Sequence, residues 1–335
     1  MEKNEKKLLE IKDLTVEYHT NSGVVHAVTD LNLSIGYGET LGFVGETGAG
    51  KTTTALSAMN LLPHPQGKII SGSIQFEGEE VIGKSQREMT KIRGDKMSMI
   101  FQDPMTSLNP VMTVGEQIAE VIRIHEKTSK LDAMEKAGDM LETVGIRRER
   151  INDYPHQFSG GMKQRVVIAI ALACNPQLLI ADEPTTALDV TIQAQMLELM
   201  KELKVKYDTS MIMITHDLGI VAEICDKVAI MYAGNVVEYG DKVDIYTDEN
   251  PHHPYTIGLF KSIPDLFEEQ EELEVIKGLT PDPTNLPTGC TFHPRCPKAC
   301  ERCAKEVPSH YEVAPGHTIS CFLYENMTQE EKNNG

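Results

Sequence analysis

Residues 39–63 contain the feature that most constrains the fold. The apolar run "ETLGFVG" ends in glycine, "GETGAGKT" (Gly45 to Thr52) follows, and a stretch with helical character then runs to Pro63. A buried strand, a glycine-rich turn and a helix in this order fit the pattern G-x-x-x-x-G-K-[ST] of a phosphate-binding loop. Glycines let the backbone wrap closely around phosphates, and the helix N-terminus supplies N–H donors and partial positive charge. We therefore predict nucleotide phosphates at this phosphate loop, residues 45–52.

Further residue types in and after the loop suit the same chemistry. Lys51 supplies a cation that can reach the β- and γ-phosphates, and Thr52 supplies a hydroxyl ligand for Mg²⁺. "LLIADEP" is an apolar strand that ends in Asp182, placed to hold Mg²⁺, and Glu183, placed to polarise an attacking water. "MIMITHD" delivers His216 at the end of a similar strand. A lone histidine there is usually structural, but together these residues indicate nucleotide hydrolysis.

The patterns along the chain predict an α/β fold with a mainly helical insertion. Alternating strands at "LLEIKDLTVEYHT" and "VVHAVTDLNLSI" indicate an antiparallel edge sheet, and strand and helix patterns then alternate around a parallel core. Helix-period spacing fills the insertion at about 104–172. After about residue 240 prolines multiply, the acidic run "DLFEEQEELE" appears, and five of the seven cysteines follow. We place a domain boundary near 240.

Charge and hydropathy exclude two classes of protein. The formal net charge of −18 is unsuited to general nucleic-acid binding, which needs clustered Lys and Arg. No apolar run approaches the roughly 20 residues needed to cross a bilayer. The charged "MEKNEKKLLE" is not a secretory signal. We expect an intracellular protein that reaches a membrane only by docking onto a partner that spans it.

A second glycine-rich turn requires a second copy of the fold. "FSGGMKQR", Phe158 to Arg165, would form another anion-binding helix N-terminus, yet it lies in the helical insertion, too far from Lys51 to serve the same nucleotide. A head-to-tail partner solves this, because each nucleotide can lie between one chain's phosphate loop and its partner's "SGG".

These motifs, in this order over about residues 8–240, resemble the nucleotide-binding subunit of an ATP-binding-cassette (ABC) transporter. The resemblance implies a P-loop NTPase with a RecA-like core, an antiparallel edge sheet and a helical subdomain, followed by a small Cys-rich extension at 241–335. It implies ATP binding by Tyr18, which resembles the aromatic residue that stacks on adenine, and by Gly45, Glu46, Thr47, Gly48, Ala49, Gly50, Lys51, Thr52 and Thr53. It implies Mg²⁺ binding by Thr52, Gln102 and Asp182, and catalytic roles for Glu183, His216, Gln102 and Asp189. It implies signature contacts to a partner's ATP from Ser159, Gly160, Gly161 and Gln164.

The surrounding sequence resembles one subfamily. "MTSLNPVMTVGEQI", "YPHQFSGGMKQRVVIAIALACNPQLLIADEPTTALDVTIQAQ" and "NPHHPYTIGL" resemble the oligopeptide/dipeptide importer ATPases, most of all their D-type subunit. This implies an F-type homologous ATPase partner, two transmembrane permease subunits, an extracellular or periplasmic solute-binding protein, and a place at the cytoplasmic face of the membrane. Importers of nickel and other small solutes share these sequence features, so nickel remains an alternative to peptides as the solute. A non-transport ABC ATPase acting on DNA or ribosomes would carry a long coiled coil or two cassettes, and neither is present.

The five late cysteines define what we call the cysteine segment, residues 290–321. Their spacing does not fit paired C-x₂-C zinc knuckles or bacterial ferredoxin spacing, yet four thiolates can converge on one metal centre however they are spaced. The importer resemblance includes a frame that selects Cys290, Cys296, Cys303 and Cys321, leaves out Cys300, and implies a [4Fe–4S] cluster. Zinc and reduced thiols remain alternatives. The prolines argue against regular structure here, so a metal would act as a staple. Five histidines after residue 250 are interpreted as loop histidines, with metal ligation by some of them as the alternative: His252, His253, His293, His310 and His317.

Overall fold

The computed structural model describes residues 6–186, 189–263 and 275–327. Ala187 and Leu188, which directly precede the predicted catalytic Asp189, lie outside these ranges, as do the acidic run at 265–274 and residues 328–335.

Twelve strands and ten α-helices occur in the described residues. The strands are β1 (Lys7–Thr20), β2 (Gly23–Gly36), β3 (Thr40–Val44), β4 (Gly67–Phe76), β5 (Glu79–Glu80), β6 (Met97–Ile100), β7 (Leu178–Asp182), β8 (Ser210–Thr215), β9 (Lys227–Tyr232), β10 (Asn235–Asp241), β11 (Tyr311–Ala314) and β12 (His317–Ile319). The helices are α1 (Lys51–Ala58), α2 (Gln86–Thr90), α3 (Pro104–Ser107), α4 (Val114–Glu126), α5 (Lys130–Thr143), α6 (Gly160–Leu172), α7 (Val190–Tyr207), α8 (Leu218–Ile224), α9 (Lys242–Tyr246) and α10 (Pro254–Lys261).

The backbone forms two compact units, each made of several chain segments. The first comprises Met1–Leu8, Ile35–Thr40 and Glu77–Ile214. Its parallel strands lie in the order β6-β7-β8, and every residue of β7 is buried. Helices α4, α5 and α6 pack on one another in the predicted insertion. Helix α4 begins at a capping box in which Thr113 and Glu116 satisfy each other's backbone N–H groups.

The second unit comprises Leu9–Ser34, Leu41–Phe76 and Thr215–Gly335. Strand β1 pairs antiparallel with β4, from Leu9 opposite Phe76 to Tyr18 opposite Gly67, and β2 lies beside β1. Strand β3 runs parallel to β9, while β9, β10, β12 and β11 follow one another as antiparallel neighbours. The hairpin β11–β12 therefore adds the end of the cysteine segment to the sheet that contains β3.

The predicted α/β architecture is confirmed, with two local corrections. The helix after the phosphate loop ends at Ala58, before Leu62, because the chain turns at Asn60 with a left-handed φ of 50°. The cysteine segment was expected to lack regular structure because of its prolines, but the hairpin β11–β12 forms there. Pro315 and Gly316 occupy the turn of that hairpin, where neither residue has to supply a ladder hydrogen bond.

Within the described ranges, no helix combines the length and apolar character needed to cross a bilayer.

Candidate functional site

The phosphate loop has the predicted strand–loop–helix setting. Strand β3 is buried along its whole length and leads directly into Gly45. Helix α1 begins at Lys51, and its N-cap is Gly50, which has no side chain to satisfy the first N–H groups of the helix. Those N–H groups and the helix dipole provide a site for an anion.

Two glycines of the loop cannot be replaced without disturbing it. A Cβ on Gly45 would lie 2.1 Å from the carbonyl oxygen of Met231, and one on Gly50 would lie 2.3 Å from that of Ala27. Gly50 also has a φ of 106°, a conformation that side chains with a Cβ rarely adopt. The curvature of the loop therefore depends on glycine at both ends.

The side chain of Lys51 is held by the backbone of this loop. Its Nζ donates hydrogen bonds to the carbonyl oxygens of Gly45 (2.6 Å) and Glu46 (3.1 Å), and the residue is only 6% exposed. The loop thus positions a buried ammonium group beside its own curved backbone. Nearby, the hydroxyls of Tyr18 and Thr53 lie 3.3 Å apart, so the predicted adenine-stacking residue adjoins α1.

A cavity of about 180 Å³ borders the outer side of the loop. Residues 46–49 form one wall, and residues 280–286 of the C-terminal extension form another. The carbonyl of Pro283 accepts a hydrogen bond of 2.9 Å from the backbone N–H of His26. The extension therefore contacts the surroundings of the phosphate loop directly.

In the first unit, Glu183 and Gln102 come together. The Nε2 of Gln102 and the Oγ1 of Thr186 both donate to Oε2 of Glu183, at 2.9 and 3.0 Å. Glu183 has a left-handed φ of 45°, which is uncommon for a residue with a side chain. Asp182, one residue earlier, ends β7 and is 3% exposed. The predicted catalytic carboxylate is thus held by two donors at the end of a buried strand.

The second glycine-rich turn also opens a helix, as predicted. Ser159 is the N-cap of α6, and its Oγ accepts from the N–H of Met162. Ser159 and Gly160 are exposed, and a Cβ on Gly160 would meet nothing within 4 Å. Gln164 is buried, and its Nε2 donates to the carbonyl of Pro184 at 2.6 Å. That bond ties the signature helix to the residue after Glu183, and the contact of these residues with a partner's nucleotide stays a prediction.

The last two predicted catalytic residues lie at helix starts. Asp189 is the N-cap of α7, and its Oδ1 accepts from the N–H of Ile192 at 3.0 Å. His216 is exposed, directly after β8, and Asp217 beside it caps α8.

The five late cysteines line one cavity of about 130 Å³. All five thiols are free, and the Sγ atoms of Cys300 and Cys303 lie 3.3 Å apart. Cys300 is exposed, while Cys290, Cys296, Cys303 and Cys321 are half-buried. The fold has therefore brought together thiols that are up to 31 positions apart in the sequence.

Burial distinguishes the thiols chemically. It raises the pKa of Cys290 and Cys296, and raises that of Cys321 to about 11. A hydrogen bond from the backbone of Cys303 lowers the pKa of Cys300. Burial also raises the pKa of Cys303, so four thiols have raised pKa values, and the exposed fifth has a lowered one.

The spacing of the thiols bears on the metal that they could hold. Zinc–sulfur bonds of ~2.3 Å in a tetrahedron place the sulfurs ~3.8 Å apart. One such distance in the cavity, 3.3 Å between the Sγ atoms of Cys300 and Cys303, is near that value. Among the described residues, the side chains that lie close enough together to share one metal ion are those of Glu238, His252 and His317.

Comparison with known proteins places these features in a family. Residues 28–186 match the family model described as "ABC transporter", and residues 237–303 match "Oligopeptide/dipeptide transporter, C-terminal region". The oligopeptide transport ATP-binding protein AppD of Bacillus subtilis is 50% identical over 326 residues, which cover 97% of this chain and 99% of that one. This chain belongs to the oligopeptide/dipeptide group of ABC transporter ATP-binding proteins.

Other relatives agree with that assignment. The oligopeptide transport ATP-binding protein OppD of Escherichia coli is 52% identical and covers 94% of this ABC ATPase and 93% of its own length. The dipeptide transport ATP-binding protein DppD of Bacillus subtilis is 48% identical, with 96% of each chain covered.

Solved structures show the same fold. A dimeric ATP-binding cassette in a post-hydrolysis state with ADP and phosphate has a TM-score of 0.62 and 27% identity, covering 70% of this ABC ATPase and 98% of that chain. CbiO1 of Clostridium perfringens, part of the ABC transporter complex cbiONQ, has a TM-score of 0.63 and 27% identity, covering 73% and 92%. The P-loop NTPase prediction and the prediction of an ABC ATPase are confirmed.

Of the late histidines of this ABC ATPase, His252 and His253 lie in a loop as predicted, but both are buried, and the prediction was wrong for His317, which is buried in β12. Glu238 on β10 is fully buried, and its Oε1 faces Nδ1 of His252 at 2.8 Å and Nε2 of His317 at 3.0 Å. Its Oε2 accepts from the backbone N–H of His253 at 2.8 Å. Burial alone would raise the pKa of Glu238, but the hydrogen bonds with His252 and His317 outweigh it and lower the pKa to about 2. The histidines thus fasten the extension to β10.

Sequence reasoning also missed Arg295. Its guanidinium pairs with Glu46 of the phosphate loop, at 2.9 Å. The only sequence signal is weak, because Arg295 in "HPRCP" stands 249 positions after Glu46.

Proposed function

We propose that this chain hydrolyses ATP to power the import of dipeptides and oligopeptides. One observation carries this conclusion: identity of 48–52% to oligopeptide and dipeptide transport ATP-binding proteins extends over nearly the whole chain, including the C-terminal extension. A nickel importer ATPase is the alternative, and a non-transport ABC ATPase is the more distant one.

We infer these roles at the nucleotide. Tyr18 stacks on adenine, residues 45–53 wrap the phosphates, and Lys51 moves its ammonium group from the loop carbonyls to the β- and γ-phosphates. Thr52, Gln102 and Asp182 are the oxygen ligands that would hold Mg²⁺, which neutralises phosphate charge when bound. The buried carboxylate and the loop hydroxyl are the hard ligands that this ion prefers.

We further infer that Glu183 is the general base for hydrolysis. Gln102 and Thr186 fix one of its oxygens, so its carboxylate is oriented before water arrives. His216 would contact the γ-phosphate or orient the water. Asp189 would cross to the partner's site.

We base the proposed assembly on the exposed glycine-rich turn that opens α6. Ser159, Gly160 and Gly161 would complete the site of a homologous F-type ATPase subunit, with Gln164 holding their helix in place. Closure of the two ATPases would drive two permease subunits at the cytoplasmic face of the membrane, fed by an extracellular or periplasmic solute-binding protein. ATP acts as a ligand that prefers the closed state. We assign residues 1–240 to the nucleotide-binding domain, with the helical subdomain at about 104–172, and 241–335 to the extension.

Transport measurements test the solute. Cells that lack this chain are expected to lose energy-dependent uptake of radiolabelled trialanine, and the wild-type chain should restore it, whereas Glu183→Gln should not. Intact trialanine uptake with lost uptake of radioactive nickel would contradict the peptide assignment in favour of nickel. Intact uptake of both, together with ATPase activity stimulated by DNA or ribosomes, would overturn the transport function itself.

We also propose that Cys290, Cys296, Cys303 and Cys321 hold a [4Fe–4S] cluster as a structural staple. Thiolates are the ligands that such clusters require, and four half-buried thiols share one cavity. The exposed Cys300 is left out. Zn²⁺ bound by the same four thiolates is the alternative.

Metal analysis after anaerobic purification tests the staple. We expect about four iron and four sulfide per chain with a broad visible absorption band. Cys290→Ser should lose the iron and make the tail more sensitive to protease, because a half-buried ligand is removed.

Cys300→Ser is the matched control, since it alters an exposed cysteine of the same cavity. It is expected to keep iron and sulfide. About one zinc per chain without sulfide would replace the cluster by the zinc alternative, and unchanged metal content in Cys290→Ser would rule out its role as a ligand.

A further inference from the structure

Arg295 joins the cysteine segment to the phosphate loop. Its side chain is only 7% exposed, and all five of its N–H groups meet acceptors. Nη1 donates to Glu46 Oε2 (2.9 Å) and the hydroxyl of Tyr232 (3.3 Å), and Nη2 donates to Glu46 Oε1 (3.2 Å) and the carbonyl of Ile276 (3.4 Å). Nε donates to the carbonyl of Lys277 at 3.2 Å. A planar guanidinium with every donor used has one position and cannot be replaced by lysine.

Glu46 is the second residue of the phosphate loop, and the extension holds both of its polar ends. Arg295 takes its carboxylate in a two-point ion pair, and its backbone N–H donates to the hydroxyl of Tyr255 at 3.1 Å. Tyr255 packs against Tyr232 and Phe292, with ring centroids 4.7 and 5.4 Å away. The packed aromatic rings and the buried guanidinium of Arg295 thus hold the start of the phosphate loop in place.

This pairing matters for an anionic nucleotide. The carboxylate of Glu46 lies in a loop that must accept phosphates, and without a counter-charge it would repel them. The carbonyl of Glu46 also accepts one of the hydrogen bonds that hold Lys51. Arg295 therefore acts on the nucleotide site through Glu46, both by neutralising its charge and by fixing its backbone.

The fold of the cysteine segment sets the position of Arg295. Arg295 directly precedes Cys296, and the backbone N–H of Cys290 donates to the carbonyl of Cys303 at 2.8 Å. Gly289 packs so closely on Cys303 that a Cβ would lie 2.4 Å from its carbonyl oxygen. Loosening this tight fold would release the guanidinium from Glu46.

We propose that Arg295 is a positioning residue for ATP, and that through it ATP affinity depends on the folded state of the cysteine segment. The coupling is reciprocal: bound ATP must stabilise the segment by the same factor by which the folded segment favours ATP. The inference rests on the nucleotide site proposed above at the phosphate loop.

ATP titration of the full chain tests the first half. Arg295→Ala is expected to raise the Kd for ATP about tenfold with kcat at saturating ATP little changed, because an unpaired carboxylate then faces the phosphates. Adding Glu46→Gln should restore most of the lost affinity, since it removes that charge, and a purely structural role for Arg295 would give no such rescue.

Arg302→Ala is the matched control. Arg302 lies in the same segment and pairs with Glu306 and Glu325, away from the phosphate loop, so this variant should keep wild-type ATP affinity. Equal affinities of Arg295→Ala and wild type would overturn the role of Arg295. Failure of the unmodified chain to bind ATP would instead remove the proposed nucleotide site itself.

Protease protection tests the coupling. Glu301 and Glu306 are exposed, so a glutamate-specific protease can report on the segment without cutting at Arg295. ATP should slow cleavage about fivefold in the wild type and much less in Arg295→Ala. Equal protection of both chains would overturn the coupling, as would a Cys290→Ser chain whose segment is cleaved faster while its ATP affinity is unchanged.

Discussion

Replacing Glu183 by glutamine is expected to reduce ATP turnover by about a hundredfold or more, in line with the loss of a general base. The glutamine oxygen can take the place of Oε2 and keep the hydrogen bonds from Gln102 and Thr186. The amide nitrogen then occupies the position of the other oxygen, where it cannot accept a proton from water. Phosphate release at saturating ATP should fall, while the Kd for ATP should stay within about twofold because the phosphate loop is unchanged.

Glu198→Gln provides the matched control for this change. Glu198 is exposed on α7 and pairs loosely with Lys201, at 3.6 Å. The control should retain full turnover. If Glu183→Gln hydrolysed ATP at more than about a tenth of the wild-type rate, another group would have to be the base.

Replacing Lys51 by methionine is expected to weaken ATP binding about ten- to a hundredfold, as the loss of a charge-assisted contact worth ~1.5–3 kcal/mol predicts. Methionine keeps most of the buried hydrocarbon stem of this 6% exposed residue but removes the cation and both hydrogen bonds to the loop carbonyls. Titration with ATP measures the effect, and a thermal melt without nucleotide shows whether the loop itself has loosened.

Lys130→Met is the matched control, because Lys130 is an exposed lysine at the start of α5. It should bind ATP like the wild type. Unchanged ATP affinity in Lys51→Met would show that Lys51 does not reach the phosphates, whereas a large drop in melting temperature would mean that the carbonyl contacts of Lys51 serve the fold first.

Local residue order was enough to predict the parts of the site that are contiguous in the chain. The phosphate loop, the strand that delivers Asp182 and Glu183, and the turn that opens α6 are each formed by a few consecutive residues. Their geometry follows from glycine conformations, buried strands and helix N-termini, which are properties of short segments. Sequence resemblance added Gln102. In the structure its Nε2 lies 2.9 Å from Oε2 of Glu183, which comes 81 residues later in the chain.

Contacts between segments that are distant in the sequence could not be predicted from local residue order. Nothing in "HPRCP" indicates that Arg295 pairs with Glu46, 249 positions away, or that Glu238 binds His317, 79 positions away. The spacing of the cysteines likewise left open which of them come together in space. The structure places all five at one cavity, with Cys300 exposed and the other four half-buried.

By itself, then, the sequence determined the chemistry: a nucleotide loop, a carboxylate at a strand end and a thiol-rich tail. Only the tertiary structure decided that the cysteine segment contacts the phosphate loop. The reason is physical, because local patterns specify strands, turns and caps, whereas the packing of a whole unit selects which buried charges face each other. The pairing of Arg295 with Glu46 links the cysteine segment to the phosphate loop, and it forms only when β3, β9 and the cysteine segment have folded together.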